Sequence, residues 1–270
     1  MRLLLEPVEP GTLDDVLRVG EAAHAHGIDG VLLTATTALP APLVVAAALA
    51  ARVAEIRIAV EVETGDRHPI ELAEEAAVVD VASGGRLILV ARPADGREEA
   101  FGEALDLLRL CFAACPFRFE GSHWQVPANL PQNVHNPEQR VRVTPAPAQA
   151  RLELWGAGSG RDAALDRGLG YLAPAGADDQ DLAAAWRLAE APALVGAPRG
   201  RREVWSGATT LLQRLRSGRG AFGQDWATVA APLAAVTDLA SVVRPRIQID
   251  RLPAGLEAYW DETQPWLPDG

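Results

Sequence analysis

Five consecutive residues, Gly156-Ala157-Gly158-Ser159-Gly160, stand between an apolar run, Leu152 to Trp155, and a helix-forming one, Arg161 to Leu169. A glycine-rich turn from strand into helix lets backbone N–H groups and the helix's positive end meet a phosphate, and Ser159 adds a hydroxyl donor. The plainer reading is a structural turn. It is not a dinucleotide fingerprint, because the GxGxxG spacing fails at position 161. Arg92 follows the apolar run Arg86 to Ala91, and its planar fork suits phosphate; a solvated rim arginine is the alternative. Glu61 and Glu63 end the run that starts at Ile56. Carboxylates there are costly unless paired, so each is either a general acid/base or half of an ion pair, with Arg57 or Arg86 as partner. His123 and His135 lie in an irregular segment beside Trp124, where a histidine can touch substrate or move a proton near neutral pH. His24 and His26 read as surface residues, and His68 as a helix cap.

The elements that must position these groups alternate. Arg2 to Leu5, Ile28 to Thr34, Ile56 to Val62 and Arg86 to Ala91 read as strands, rich in β-branched and leucine residues. Helices are expected at Leu13 to His26, with Thr12 as N-cap, at Leu39 to Ala54, after His68-Pro69, and at Glu98 to Ala114. In the helix after Pro69, Ile70, Ala73, Ala77, Val78 and Val81 supply an apolar stripe, and Ser83-Gly84-Gly85 stops it. Four strand–helix pairs in the first 115 residues suit half a parallel barrel. In such a barrel Arg92 and the glycine turn sit at the catalytic, C-terminal ends of strands. Residues 116–150, rich in Pro, Asn and Gln, break the rhythm. The strand Gly170 to Pro174 and a helix from Asp178 to Glu190 follow. Ala193 to Val195 or Glu203 to Trp205 is expected as strand seven, and Arg246 to Asp250 as strand eight.

The 270 residues suffice for one barrel of about 250, so one domain, 1–270, is expected. The net charge of −11 argues against a nucleic-acid partner. Every one of the 25 basic residues is arginine, which removes Schiff-base and P-loop lysine chemistry. Cys111 and Cys115, four apart with no histidine cluster, read as two packed thiols rather than a metal site. The most apolar run, Ala38 to Ala54, contains Pro40, Pro42 and Arg52 and reads as a barrel helix, not a membrane span. The N-terminal MRLLLEPVEP is too short in apolar residues for a signal peptide, and a cytoplasmic location is the expectation.

The run HP-x3-AEEAA-x2-D-x-x-SGGRL-x-L, residues 68 to 89, resembles the segment between the third and fourth strands of bacterial luciferase-like monooxygenases. Phe117-Arg118-Phe119-Glu120-Gly121 and the passage from Leu152 to Pro174 resemble other phrases of that family. The resemblance implies a luciferase-like (β/α)8 TIM barrel, with an irregular insertion at 116–150 and a reduced C-terminal half. It also implies a flavin-dependent oxidoreductase in which reduced FMN, supplied by a partner reductase, reacts with oxygen to oxygenate a small organic substrate. Coenzyme F420, which would make it a hydride-transfer enzyme, is the competing cofactor; a barrel that binds ligand or partner without catalysis is the third reading. By resemblance, Gly156, Ala157, Gly158, Ser159 and Arg92 hold phosphate, while Thr34, Val60 and Glu61 surround the ring, Val60-Glu61 lying where relatives often bulge. Glu61, His123 and His135 are the catalytic candidates. Two departures stand out: LVARPADG keeps only Gly96 of a glycine-rich run, and Thr34-Ala35-Thr36-Thr37 holds no histidine. Relatives often dimerise through barrel helices, so a homodimer is expected.

Overall fold

In the computed structural model, which describes residues 2–65, 67–113, 115–128, 139–173, 204–207 and 243–249, strand and helix alternate from the start. The first half comprises β1 (Arg2–Pro7), α1 (Leu13–Ala25), β2 (Gly30–Leu33), α2 (Pro42–Arg52), β3 (Arg57–Thr64), α3 (Pro69–Ser83), β4 (Leu87–Pro93) and α4 (Glu98–Phe112). A small hairpin follows, β5 (Phe119–Glu120) and β6 (Gln125–Val126), inside the irregular insertion. Then come β7 (Glu153–Ala157), a 3₁₀ turn at Gly158–Gly160, α5 (Arg161–Asp166), β8 (Gly170–Leu172), β9 (Val204–Gly207) and β10 (Val243–Ile249).

Eight strands close into a barrel in the order β1-β10-β9-β8-β7-β4-β3-β2. Seven run parallel; β10 is antiparallel to both neighbours, β1 and β9. The luciferase-like barrel expected from the sequence is therefore present with one strand reversed. β9 and β10 overlap the expected Glu203–Trp205 and Arg246–Asp250. The other candidate, Ala193 to Val195, and the helix expected at Asp178 to Glu190 lie outside the described residues.

Alternation along the strands sorts side chains into two cores. Leu4, Leu32, Ala59, Ile88, Val90, Trp155, Ala157 and Leu172 form a cluster drawn only from strands, so it fills the barrel lumen. Leu5, Val31, Leu33, Ile58, Val60, Leu87 and Leu89 pack instead with helix residues such as Val16, Leu49, Leu72 and Leu105. Burying each such Leu or Ile side chain contributes about 1.5–3 kcal/mol.

Helix ends were well marked. Thr12 and Asp15 form a reciprocal capping box on α1. His68 Nδ1 accepts from the Ile70 N–H at 3.2 Å, and Gly84 closes α3 in the left-handed region at φ 69°. The stripe expected for α3 holds in part: Ala73 and Ala77 are buried and Ile70 packs against the core, but Val78 and Val81 are about half exposed, and Leu72, Ala76, Val79, Asp80 and Ser83 are buried beside them. A helix so rich in alanine and valine is apolar nearly all round, so its periodicity does not fix the buried face. Cys111 is buried but Cys115 is exposed, because α4 ends at Phe112 and Cys115 lies beyond it.

The D-x-x-SGGRL phrase is a floor lock. Asp80, fully buried, accepts from the Gln149 backbone N–H (2.9 Å) and Nε2 (2.7 Å), and the same Nε2 also donates to the Leu87 carbonyl. Ser83 Oγ accepts from the Arg86 N–H. The Arg86 guanidinium donates to the carbonyls of Ala50, Val53, Ile56 and Ser83, capping the C-terminal end of α2. Burial lowers the pKa of this guanidinium from its ordinary value.

Candidate active site at the barrel mouth

Because side chains repeat every second residue along a strand, those one or two steps beyond the lumen cluster face its C-terminal opening. Glu6 lies two beyond Leu4, Thr34 two beyond Leu32, Glu61 and Glu63 two and four beyond Ala59, and Arg92 two beyond Val90. The parallel β3–β4 register sets Glu63 opposite Arg92 and runs unbroken from Ile58 to Thr64. The bulge expected at Val60-Glu61 is therefore absent, and that peptide is not cis. Val60 itself is fully buried on the helix side of the sheet. Its side chain cannot border a ring at the mouth; only its backbone can.

Arg92 bridges the two carboxylates. Its Nε lies 3.2 Å from Glu61 Oε1, and its Nη2 contacts Glu63 Oε2. The ion-pair reading of Glu61 and Glu63 is thus observed, with a partner the sequence did not single out. Arg57 pairs instead with Glu153 across the floor at 3.6 Å, and Arg86 is the α2 cap. Arg92 is 37% exposed and Glu61 22%, so the network is open to a ligand. Glu6, only 6% exposed, was missed as a site residue; a carboxylate in the apolar phrase LLLEP was its signal. Thr64 Oγ1 donates to the Arg92 carbonyl at 3.1 Å and ties the strand ends together.

The glycine turn follows β7, the strand beside β4. Gly158 and Ser159 are exposed, while Gly156, Ala157 and Gly160 are buried. Gly158 adopts φ +59°, and a Cβ there would find only Arg92 Cβ, at 3.9 Å. The structure thus brings the turn and Arg92 together. Gly156 and Gly160 have packing reasons instead, since a Cβ would strike Ala164 at 2.3 Å or the Phe101 ring at 2.2 Å. Ser159 Oγ donates to Glu98 Oε1 at 3.4 Å, and Tyr171 Oη donates to the Gly158 carbonyl at 3.1 Å.

His123 is held elsewhere, on the hairpin docked against α4. Glu103 accepts from the backbone N–H groups of Ser122 (2.8 Å), His123 (2.9 Å) and Trp124 (3.3 Å), with His123 Nδ1 at 3.4 Å. Gly121 makes this possible, because a Cβ there would lie 2.2 Å from Glu103 Oε2. Desolvation opposes ionisation of Glu103, but the hydrogen bonds from His123, Ser122 and Trp124 outweigh it and hold its pKa at about 2. The imidazole of His123 therefore sits beside a structural clamp, with its Nδ1 facing Glu103. Trp124 packs edge-on against the His68 ring, centroids 4.9 Å apart. His135 lies outside the described residues.

The glycine turn and the arginine beside it thus stand at the C-terminal ends of adjacent strands, and comparison with known proteins agrees on the fold. The fold is similar to that of the monooxygenase RslO1 from Streptomyces bottropensis, with TM-score 0.61 and 18% identity over 89% of this chain and 82% of that one. It is similar also to the oxygenating constituent of 3,6-diketocamphane monooxygenase from the CAM plasmid of Pseudomonas putida, a type II Baeyer-Villiger monooxygenase in complex with FMN (TM-score 0.56, 18% identity, 74% and 64% covered). A third is EDTA monooxygenase from Chelativorans sp. BNC1 (TM-score 0.53, 22% identity, 72% and 56% covered). The chain thus spans less than two thirds of the length of the second and third. No curated protein matches the sequence. The family model for luciferase-like monooxygenases, however, matches residues 2–217, most of the chain and all of the mouth described above from β1 to β9. This protein therefore belongs to the luciferase-like monooxygenase family, a family of oxidoreductases.

Proposed function

We propose that the protein is a flavin-dependent monooxygenase that uses reduced FMN and O2 to oxygenate a small organic substrate, the reduced flavin coming from a separate reductase. The observation that carries this reading is that the exposed Gly158-Ser159 turn lies beside Arg92 at the ends of adjacent strands, a Cβ on Gly158 falling 3.9 Å from Arg92 Cβ. The backbone N–H groups of Gly156 to Ser159, the Ser159 hydroxyl and the Arg92 guanidinium would hold the phosphate. Thr34, the Val60 backbone and Glu61 would border the ring. FMN, when bound, supplies the redox chemistry with oxygen.

The chain's own contribution is positional. Leu4, Ile88, Val90 and Trp155, each at most 2% exposed, close the lumen beneath the mouth and keep water from entering from below. Glu61 can hold or pass a proton at Oε1, the oxygen now facing Arg92 Nε. His135 remains a candidate for substrate contact from the insertion. We propose in addition a homodimer. Val44 on α2 is 70% exposed, and Val78 and Val81 are exposed on the adjoining α3, which gives a second copy an apolar face; sedimentation that returns a monomer at micromolar concentration would refute it.

A ligand-binding barrel without catalysis is the second reading. Carboxylates already occupy both phosphate donors, Glu61 and Glu63 on Arg92 and Glu98 on Ser159, and an anion must displace them. Titration with FMN and with F420, followed by absorbance and fluorescence, separates the readings. FMN binding, and substrate-dependent oxygen uptake by the reduced complex, is the expected result. Binding of F420 alone would replace oxygenation by hydride transfer, and failure of both at high-micromolar concentration would remove the oxidoreductase reading.

A further inference from the structure

Tyr171 belongs to β8 and pairs in register with Gly156 of β7. Its side chain is 5% exposed, and its hydroxyl spans from one strand to the turn that ends the other, donating to the Gly158 carbonyl at 3.1 Å. A buried phenol hydroxyl is costly without a partner, so this contact fixes both groups. Gly158, at φ +59° and exposed, lacks a side chain that could anchor it otherwise.

The peptide unit links the two ends of the argument. The Gly158 carbonyl and the Ser159 N–H belong to one planar trans group, so they point in opposite directions. Tyr171 and Gly156 share the outer, helix-facing side of the sheet, because the inward positions on these strands are Trp155, Ala157 and Leu172. A carbonyl drawn toward the phenol on that side turns the Ser159 N–H the other way, toward the mouth and Arg92.

We propose that Tyr171 is a positioning residue for phosphate recognition: it sets the direction of the Ser159 N–H by holding the Gly158 carbonyl. The proposal deepens the FMN reading and rests on it. It adds a requirement that the turn alone does not impose, namely that the anion site is pre-formed by a side chain that never touches the ligand.

The test compares FMN with riboflavin, which shares the ring and lacks the phosphate. Tyr171→Phe keeps the ring packing and is expected to weaken FMN binding roughly tenfold, the worth of about one hydrogen bond, with riboflavin binding unchanged. A general loss of packing would weaken both flavins alike, and that result, or no change in either, overturns the proposal. Gly158→Ala disturbs the same peptide from the other side. It should show the same phosphate-selective loss, and the double variant should bind FMN no more weakly than the weaker single one. Losses that multiply would show two independent effects and overturn the coupling. If the unmodified protein binds FMN no better than riboflavin, the phosphate assignment itself falls and the role of Tyr171 falls with it. A phosphate preference that survives Tyr171→Phe sinks only the role of the tyrosine.

Discussion

The β3–α3–β4 unit has two ends built from similar residue types and used differently. At the floor, Asp80, Ser83, Arg86 and Gln149 bond to each other and to main-chain carbonyls that have no other helical partner. At the mouth, Arg92 bonds to the flexible tips of Glu61 and Glu63, and the arginine is open to solvent. A charge facing fixed backbone groups is structural, since nothing can replace it. A charge facing another side chain in an accessible opening can exchange that partner for a ligand. The same chemical types thus separate into frame and site by what they bond to.

Substitutions sharpen or break this division, and the largest effect is expected at the floor. Asp80→Ala removes the acceptor of the Gln149 backbone N–H and one of the two acceptors of its Nε2, and should destabilise by about 3–5 kcal/mol, two hydrogen bonds to a charged group, read from urea midpoints, with flavin affinity unchanged in the folded fraction. A loss below about 1 kcal/mol would dissolve the distinction. Leu72→Ala, on the observed buried face of α3, should cost about 2–4 kcal/mol. Val81→Ala on the face favoured by the sequence should cost under about 0.5 kcal/mol. Equal costs would return Val81 to the buried face.

The hairpin clamp is intermediate and pH-dependent. The folded pKa of Glu103 is depressed to about 2, so its contribution is fully present above its ordinary value and is lost as pH falls toward 2. Glu103→Gln should cost about 1–2 kcal/mol at pH 7, allowing for solvent screening. The gap from the unmodified protein should narrow as the pH is lowered, as paired urea melts at pH 7 and pH 3 would reveal. A gap constant with pH would mean that charge plays no part in the clamp. Small in stability too is Arg92→Gln, under about 1 kcal/mol as for exposed pairs. Its flavin affinity should nevertheless fall by about 1.5–3 kcal/mol, the reverse of the Asp80 pattern, and Ser159→Ala should fall in the same direction.

Local signals carried most of the frame. Thr12, His68 and Gly84 each mark a helix end through chemistry confined to three or four residues, and the sequence shows them directly. Asp80 could not be read this way. A carboxylate inside a helix ordinarily reads as surface, and its partner Gln149 lies 69 residues on. The mouth was half legible for the same reason. Glu61 and Glu63 stand out as carboxylates at the end of an apolar strand, but which of 25 arginines meets them depends on the β3–β4 register. The direction of the Val60 side chain was not legible because strand phase is ambiguous in a run of consecutive apolar residues, and one step of phase moves a side chain from lumen to helix side. The reversal of β10 left no mark, since its alternation of Val243, Pro245, Ile247 and Ile249 with Arg244, Arg246 and Gln248 reads the same in either direction.

That reversed strand bears on solubility. A barrel avoids exposed strand edges only while every seam is closed. Here one seam joins residues 2–7 to residues 243–249, six paired positions between the first and last described strands. A chain that loses either strand would show two raw edges, on β2 and β10 if β1 is lost or on β1 and β9 if β10 is lost, each ready to add a strand from another molecule. Self-association, rather than simple unfolding, is the failure to expect from damage at that seam.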